Sequence, residues 1–197
     1  MDVSLRPLPS PLRERVELAV AAFAEKGFEG TRMEDVAEVT GVPKATLYYH
    51  FQGKEQILSW LLASLLRDVA DEVQRLVASP GSALDRLEAI VRAQLRVMAA
   101  RPDACRVLLA DVSRAGRIPE IAAAIGEAFL LPVARLLAEG RADGSIGGLV
   151  DDEATSAAIY GAVTVTGLHH LVAHHELDAG RVGDIVVGLL TRGLRAS

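Results

Sequence analysis

Apolar residues recur at helical spacing along almost the whole chain, and no segment shows the strict alternation that is typical of a strand. Turn-forming residues interrupt this pattern, most clearly in SPGS at 79–82 and in RADGSIGGL at 141–149. The sequence therefore predicts an all-α protein of about nine helices. Their expected ranges are 10–27, 31–40, 44–51, 54–78, 82–101, 102–115, 118–139, 151–175 and 178–195.

Turn chemistry between the second and third predicted helices is typical of a helix-turn-helix. Thr31 and Glu34 have the spacing of a capping box that opens the second helix. Gly41 is free to adopt the positive φ that a helix needs where it stops and reverses. Pro43 suits the first turn of a new helix, because the N–H that proline lacks has no partner there. We expect the helix that follows, at about 44–51, to be held outward.

This short third helix has two different sides. Leu47 and Phe51, four residues apart, share the side that should face the core, and Tyr49 lies roughly opposite. The outward side also includes Ala45 and Thr46, and it is bordered by Lys44, Tyr48 and His50.

Charge separates this segment from the rest of the chain. The protein has a net charge of −5, so any contact with nucleic acid must come from a local patch. No acidic residue occurs between Thr40 and Lys54. Lysine, threonine and tyrosine side chains reach base edges and phosphates in a major groove, and the start of the next helix favours a phosphate. The alternative is that Tyr48, Tyr49 and Phe51 only fill the core of a small helical domain.

The segment TRMEDVAEVTGVPKATLYYHFQGKEQIL resembles the DNA-binding region of the TetR family of bacterial regulators, most specifically in TLYYHF followed by GKE. The resemblance implies a DNA-binding domain over residues 1–53 and a helical effector-binding and dimerisation domain over 54–197. It implies a homodimeric repressor of a palindromic, double-stranded operator. It also implies base-edge contacts from Lys44, Ala45, Thr46 and Tyr48, and phosphate contacts from Tyr49, His50 and Lys54.

The helix predicted at 151–175 is rich in alanine and glycine, which indicates close approach of another helix, within the chain or from a second copy. The resemblance favours a second copy, because members of the family dimerise through their last two helices. The expected interface residues are Gly161, Gly167, Val182, Val186 and Leu189.

The resemblance implies a pocket for a small, mostly apolar effector of unknown identity, and apolar and aromatic residues on the central helices are suitable walls for it. The alternative is that they only fill the core. Few charges lie on the inward faces, which disfavours a highly charged effector. The expected pocket residues are Trp60, Leu61, Ser64, Leu65, Met98, Leu109, Phe129, Tyr160 and Thr164.

Four histidines crowd into HHLVAHH at 169–175. His170 and His174 are spaced so that both can bind one metal ion on a helix face. Histidines near a helix C-terminus are also favourable in themselves, and a pH-sensitive interface is a third interpretation. We expect neither a bound metal nor another cofactor.

Several classes of protein are disfavoured. No run of eighteen apolar residues indicates a membrane span, and the single cysteine, Cys105, fits a reducing, cytoplasmic compartment. No P-loop, GxSxG or HExxH motif is present, so an enzyme is not expected. The remaining alternative to a DNA-binding regulator is a helical, dimeric sensor of a metal or small molecule whose DNA contact is weak or secondary.

Overall fold

A computed structural model describes residues 8–110, 123–147 and 151–194 of the chain. These ranges contain ten α-helices and one π-helical turn, so the expected all-α class is confirmed. None of the helices described there is both long and apolar enough to cross a membrane. The elements are α1 Ser10–Glu17, α2 Ala19–Gly30, α3 Met33–Thr40, α4 Lys44–His50, α5 Lys54–Val77, α6 Ala83–Ala100, α7 Pro102–Ala110, the π-helical turn Gly126–Leu130, α8 Leu131–Asp143, α9 Asp152–Ala173 and α10 Ala179–Leu194.

The described residues divide into two compact units, 8–65 with 103–110 and 66–102 with 123–147 and 151–194. The helices predicted at 54–78, 82–101, 151–175 and 178–195 are confirmed to within two residues at each end. The functional boundary expected after residue 53 stays a prediction.

The first predicted helix, 10–27, is wrong as a single element. It is interrupted at Leu18, whose N–H bonds to the carbonyl of Arg15 in a tighter turn. The second piece, α2, leaves helical geometry at Gly27, where φ is 66°. Phe28 then folds back, and its ring stacks on that of Phe23 with 6.1 Å between centroids. The core of the first unit forms around these turns and includes Val16, Phe23, Val36, Leu47, Phe51 and Ile57.

The capping box at the start of α3 begins one residue later than predicted. Arg32, not Thr31, is the N-cap, and its N–H donates to Asp35 Oδ2 at 2.7 Å. The Thr31 hydroxyl is fully buried and lies within hydrogen-bond distance of two α2 carbonyls, those of Ala22 and Gly27. Thr31 therefore joins two helices and leaves the capping position to its neighbour.

The second unit is built around α6, which contacts α8, α9 and α10. Its N-terminus has a capping box, in which Asp85 N–H donates to Ser82 Oγ and Ser82 N–H donates to Asp85 Oδ2. α9 approaches α6 closely at Gly167, where a β-carbon would lie 2.6 Å from the methyl carbon of Met98. The core residues buried most completely in this unit are Leu87, Ile90, Leu95, Phe129, Leu136, Leu137, Ile159 and Leu171.

A π-helical turn precedes α8. The N–H of Leu131 donates to the carbonyl of Gly126, five residues back, and Pro132 follows at once. Because proline has no N–H to donate, one hydrogen bond of the α-helical pattern is missing there, and the wider π-helical turn accommodates its absence. The predicted start of this helix at Ile118-Pro119 lies outside the described residues, and the helix ends at Asp143, four residues beyond the predicted end.

Candidate DNA-binding site

The turn between α3 and α4 is fixed by hydrogen bonds on both sides. Gly41 has φ 61°, in the left-handed region, which is costly for residues that have a side chain. The Thr40 hydroxyl donates to the carbonyl of Val36 and accepts from Val42 N–H. Arg15, from α1, donates to the carbonyl of Thr40 at 3.1 Å. The turn thus has one conformation, and that conformation sets the direction of α4.

α4 shows the two sides that the sequence predicts. Leu47 and Phe51 are buried, and the Phe51 ring meets Trp60 edge-on with centroids 6.3 Å apart. Tyr48 and Tyr49 are 52% and 73% exposed. Since tyrosine is amphipathic and normally at least half covered, two neighbouring exposed tyrosines indicate a surface that a partner covers.

Lys44 forms an ion pair across the turn. Its ammonium group donates a hydrogen bond to Glu34 on α3, and both side chains remain accessible to solvent. This hydrogen bond raises the pKa of Lys44 and lowers the pKa of Glu34. A phosphate or base that binds the Lys44 ammonium group would therefore meet the negative charge of Glu34 beside it.

Lys54 lies at the start of α5, as expected, and its ammonium group already has hydrogen-bond partners within the chain. Its ammonium group donates to the carbonyls of Phe28, Glu29 and Thr31, at 2.7, 3.2 and 3.0 Å. It also lies 4.5 Å from the centroid of the Phe28 ring. Lys54 thus ties the start of α5 to the segment that joins α2 to α3, and its proposed contact with a phosphate stays a prediction.

The other expected DNA-contact residues lie along the same helix. Ala45 is exposed and Thr46 is half-buried. His50 is half-buried and meets the Tyr49 ring edge-on at 4.9 Å, and within the described residues its Nδ1 has no hydrogen-bond partner. The structure therefore brings six of the seven expected residues onto α4 and places the seventh, Lys54, at the first position of α5.

Three of the five expected dimer-interface residues are buried inside their own chain. Gly167 packs on Met98 and Leu95 of α6, and Val182 and Val186 are almost inaccessible to solvent. Leu189, which is 67% exposed, and Gly161, which has no atom within 4 Å of where a β-carbon would be, remain on the outside.

A second apolar side of α9 and α10 faces solvent. It consists of Val165 and Val172 on α9 with Ile185 and Leu189 on α10, each at least half exposed, and we call it the aliphatic face. Sequence reasoning missed all but Leu189. The available signal was that Ile185 and Leu189 form an i, i+4 pair beside the buried stripe, which makes α10 apolar on two sides.

The expected effector-pocket residues fall in both units. In the first unit Trp60, Leu61, Ser64 and Leu65 are buried, and the Ser64 hydroxyl donates to Glu17 Oε1 at 3.0 Å. That hydrogen bond gives Ser64 a structural partner. The side chain of Leu109 lies outside the described residues.

In the second unit one of the expected pocket residues, Thr164, forms a polar pair with Gln94. Gln94 Nε2 donates to the Thr164 hydroxyl at 2.8 Å, and the Phe129 ring lies 5.3 Å from that of Tyr160. Met98 is buried against Gly167 of α9. Sequence reasoning missed Gln94, although a glutamine within the apolar stripe of α6 is a usable signal. Within the described residues, its buried Oε1 has no hydrogen-bond partner.

Comparison with known proteins places the N-terminal part of the chain. Residues 16–60 match the family model described as bacterial regulatory proteins, tetR family. The HTH-type transcriptional repressor KstR2 of Mycobacterium tuberculosis is 33% identical over 85 residues, which are 43% of this chain and 42% of that protein. The negative transcriptional regulator IcaR of Staphylococcus epidermidis is 40% identical over 42 residues, 21% of this chain and 23% of that protein. The chain thus matches less than half the length of these curated relatives.

Solved structures resemble the chain over most of its length. The ketosteroid transcriptional regulator KstR2 of Mycobacterium tuberculosis aligns with a TM-score of 0.77 and 22% identity over 97% of this chain and 98% of that chain. The regulator FadR of Bacillus subtilis, in complex with stearoyl-CoA, aligns with a TM-score of 0.78 and 20% identity over 92% of this chain and 98% of that chain. These likenesses show the fold. With the match at residues 16–60, they show a helix-turn-helix similar to that of the TetR family of bacterial regulatory proteins, in a chain that has the fold of these solved regulators.

Proposed function

We propose that this protein is a homodimeric transcriptional repressor that binds a palindromic operator through α4 and is released by a small, mostly apolar effector. The observation that supports this function best is the exposed side of α4. A helix fixed on its inner side by Leu47 and Phe51 presents Tyr48 and Tyr49 to solvent, with Lys44 at its N-terminus. Such a helix can enter a major groove with its first residues toward the base edges.

The aliphatic face supports the dimer. Val165, Val172, Ile185 and Leu189 lie exposed on two helices of the same unit. A short recognition helix reads few bases alone, and a two-fold dimer places two of them about 34–36 Å apart, in successive major grooves. We propose that a second copy covers the aliphatic face.

The effector is proposed from the interior of the second unit. Phe129 and Tyr160 form an aromatic pair, Thr164 lies one helical turn after Tyr160 on α9, and the Oε1 atom of its partner Gln94 can accept a hydrogen bond. The likeness to a ketosteroid regulator and to a regulator crystallised with stearoyl-CoA favours a small-molecule effector that has a substantial apolar part and a polar group. A buried amide that binds the polar group would select among such molecules.

Release follows from differential binding. The effector must prefer a state in which the two α4 helices are wrongly spaced for the operator. A tenfold fall in operator affinity needs only about 1.4 kcal/mol of such preference. Linkage then requires that operator DNA weaken effector binding by the same factor.

The test is equilibrium binding of the full chain to a palindromic fragment from the protein's own promoter, over a range of salt concentrations. A scrambled duplex of the same length and composition is the control. We expect the palindrome to bind at least about 1,000-fold more tightly than the scrambled duplex, with an affinity that falls as salt rises. Equal binding to the two duplexes would favour the alternative, a sensor whose DNA contact is secondary.

A further inference from the structure

A group of imidazole rings lies at the C-terminal end of α9, apart from the DNA-binding helix. The ring centroids of His170 and His174 are 5.2 Å apart. The ring of His169 lies 5.9 Å from His170 and 6.2 Å from His174, edge-on to both. The function proposed above uses none of these side chains.

The backbone fixes the spacing of the closest pair. His174 is the C-cap of α9, and its N–H still donates to the carbonyl of His170 at 2.9 Å. The two residues are therefore one helical turn apart and on the same side of the helix. Directly afterwards His175 adopts φ 61°, which ends the helix. The pair thus lies on a rigid turn with the chain leaving just beyond it.

The two rings have the separation that a shared metal ion requires. With metal–nitrogen bonds of about 2.1 Å, two imidazoles bound to one tetrahedral ion have their ring centres about 5 Å apart. His174 is exposed and His170 half-buried, so water and ions reach both. In the part of the chain that the structure describes, no hydrogen bond occupies the ring nitrogens of either histidine.

Neighbouring carboxylates do not complete a closed site. Asp178 Oδ1 already accepts from the N–H of Arg181 at the start of α10. Within residues 8–110, 123–147 and 151–194, no three His, Cys, Asp or Glu side chains are grouped so that they could hold one ion. A structural zinc site with four protein ligands is therefore not formed there, and two nitrogen ligands leave coordination positions to water.

We propose that His170 and His174 form an open, two-nitrogen chelate for a divalent first-row transition-metal ion. Imidazole is a ligand of intermediate softness that suits Zn²⁺, Ni²⁺ and Cu²⁺, whereas Mg²⁺ and Ca²⁺ prefer oxygen. Affinity should follow the general order Ni²⁺ < Cu²⁺ > Zn²⁺. The bound ion connects the last turn of α9 to its C-cap and so stabilises the end of that helix.

The experiment is calorimetric titration of the full-length, untagged protein with ZnCl₂ and NiCl₂, with MgCl₂ as the control ion. We expect one Zn²⁺ and one Ni²⁺ per chain and no heat from Mg²⁺. His170→Gln and His174→Gln should each weaken both ions at least tenfold, and the double variant should be little worse than either, because a chelate needs both rings. His50→Gln, the same change in the first unit, should bind as the unaltered chain does.

A second readout separates chelation from general histidine binding. Zn²⁺ should raise the melting temperature of the unaltered chain and of His50→Gln, and leave that of His174→Gln unchanged. Circular dichroism would establish that each variant is folded. Undiminished Zn²⁺ affinity in folded His170→Gln or His174→Gln would overturn the proposal.

Discussion

Two exposed surfaces of this protein differ in chemistry. On α4 the exposed residues are Tyr48 and Tyr49, which have hydroxyl groups, with the cation of Lys44 beside them. On α9 and α10 the aliphatic face has only side chains that neither donate nor accept hydrogen bonds. The first surface can exchange water for a polar partner, whereas the second gains mainly by excluding water, at about 25 cal/mol per Å² covered. The proposed function thus assigns the two surfaces to different partners, the first to DNA and the second to another copy of the chain.

The largest effect is expected where the aliphatic face is made charged. Ile185→Glu or Leu189→Glu should give folded monomers, because a buried, unpaired carboxylate at the interface is costly. Loss of the second half-site contact should weaken operator binding about 100-fold or more. Sedimentation gives the mass and fluorescence anisotropy the affinity. The control is Leu131→Glu, which changes a similarly exposed apolar residue on α8. An unchanged mass in the α10 variants would show that the interface lies elsewhere.

Lys54→Met should lower the free energy of unfolding by about 1–3 kcal/mol, because three carbonyls lose a charged donor. Operator affinity should fall with it, since the segment leading into α3 loosens. Chemical denaturation measures the first effect and anisotropy the second. If Lys54 is instead a phosphate contact, stability will be unchanged and the slope of log affinity against log salt will decrease by about one.

Lys44→Ala should mainly relax sequence preference, by about 1–3 kcal/mol at one position of each half-site. The reason is that a lysine at the N-terminus of a recognition helix can reach base edges. Competition binding against operators substituted at single positions measures this. A uniform loss across all substituted operators would make Lys44 a backbone contact.

Glu34→Gln tests the ion pair between Glu34 on α3 and Lys44 on α4. The change removes a negative charge and frees the Lys44 ammonium group, so operator affinity should rise about two- to five-fold, with a steeper dependence on salt. Glu29→Gln, an exposed acid at the end of α2, is the matched charge control. Equal gains in the two variants would mean that only net charge matters.

The smallest effect concerns acid stability in the second unit. Arg141 donates hydrogen bonds to Asp152 and holds the pKa of that carboxyl below its ordinary value near 3.8. A carboxyl with a lowered folded-state pKa stabilises the fold fully above the unfolded value, and this stability is lost as the pH falls through the folded one. The difference in melting temperature between the unaltered chain and Asp152→Asn should therefore shrink below about pH 4. Glu153→Gln is the control, and a difference independent of pH would exclude this ion pair as the cause.

The features that the sequence predicted correctly depend on interactions between residues close together along the chain. Helix periodicity assigned Leu47 and Phe51 to the core and Tyr49 to the surface, and the glycine at 41 with the proline at 43 located the turn. These signals need only neighbours along the chain. The helix-turn-helix and the all-α class followed from them.

What the sequence did not predict depends on contacts between elements. Thr31 has the residue type of an N-cap, but its hydroxyl bonds to carbonyls of α2, which no local pattern reveals. Lys54 likewise finds its acceptors more than twenty residues away. On α10 both apolar sides fit the helical period, and only packing against α6 shows that Val182 and Val186 belong to the interior and Leu189 to the exterior.

The π-helical turn at Gly126–Leu130 has a consequence for alignment and for engineering. A turn that spans five residues holds one residue more than an α-helical turn needs. Removing one residue there would restore α-helical spacing without rotating α8, whereas a deletion inside α8 would turn every following side chain by about 100°. A relative that is one residue shorter should therefore be aligned with its gap at this turn, where chain length can change while the buried side of α8 stays in register.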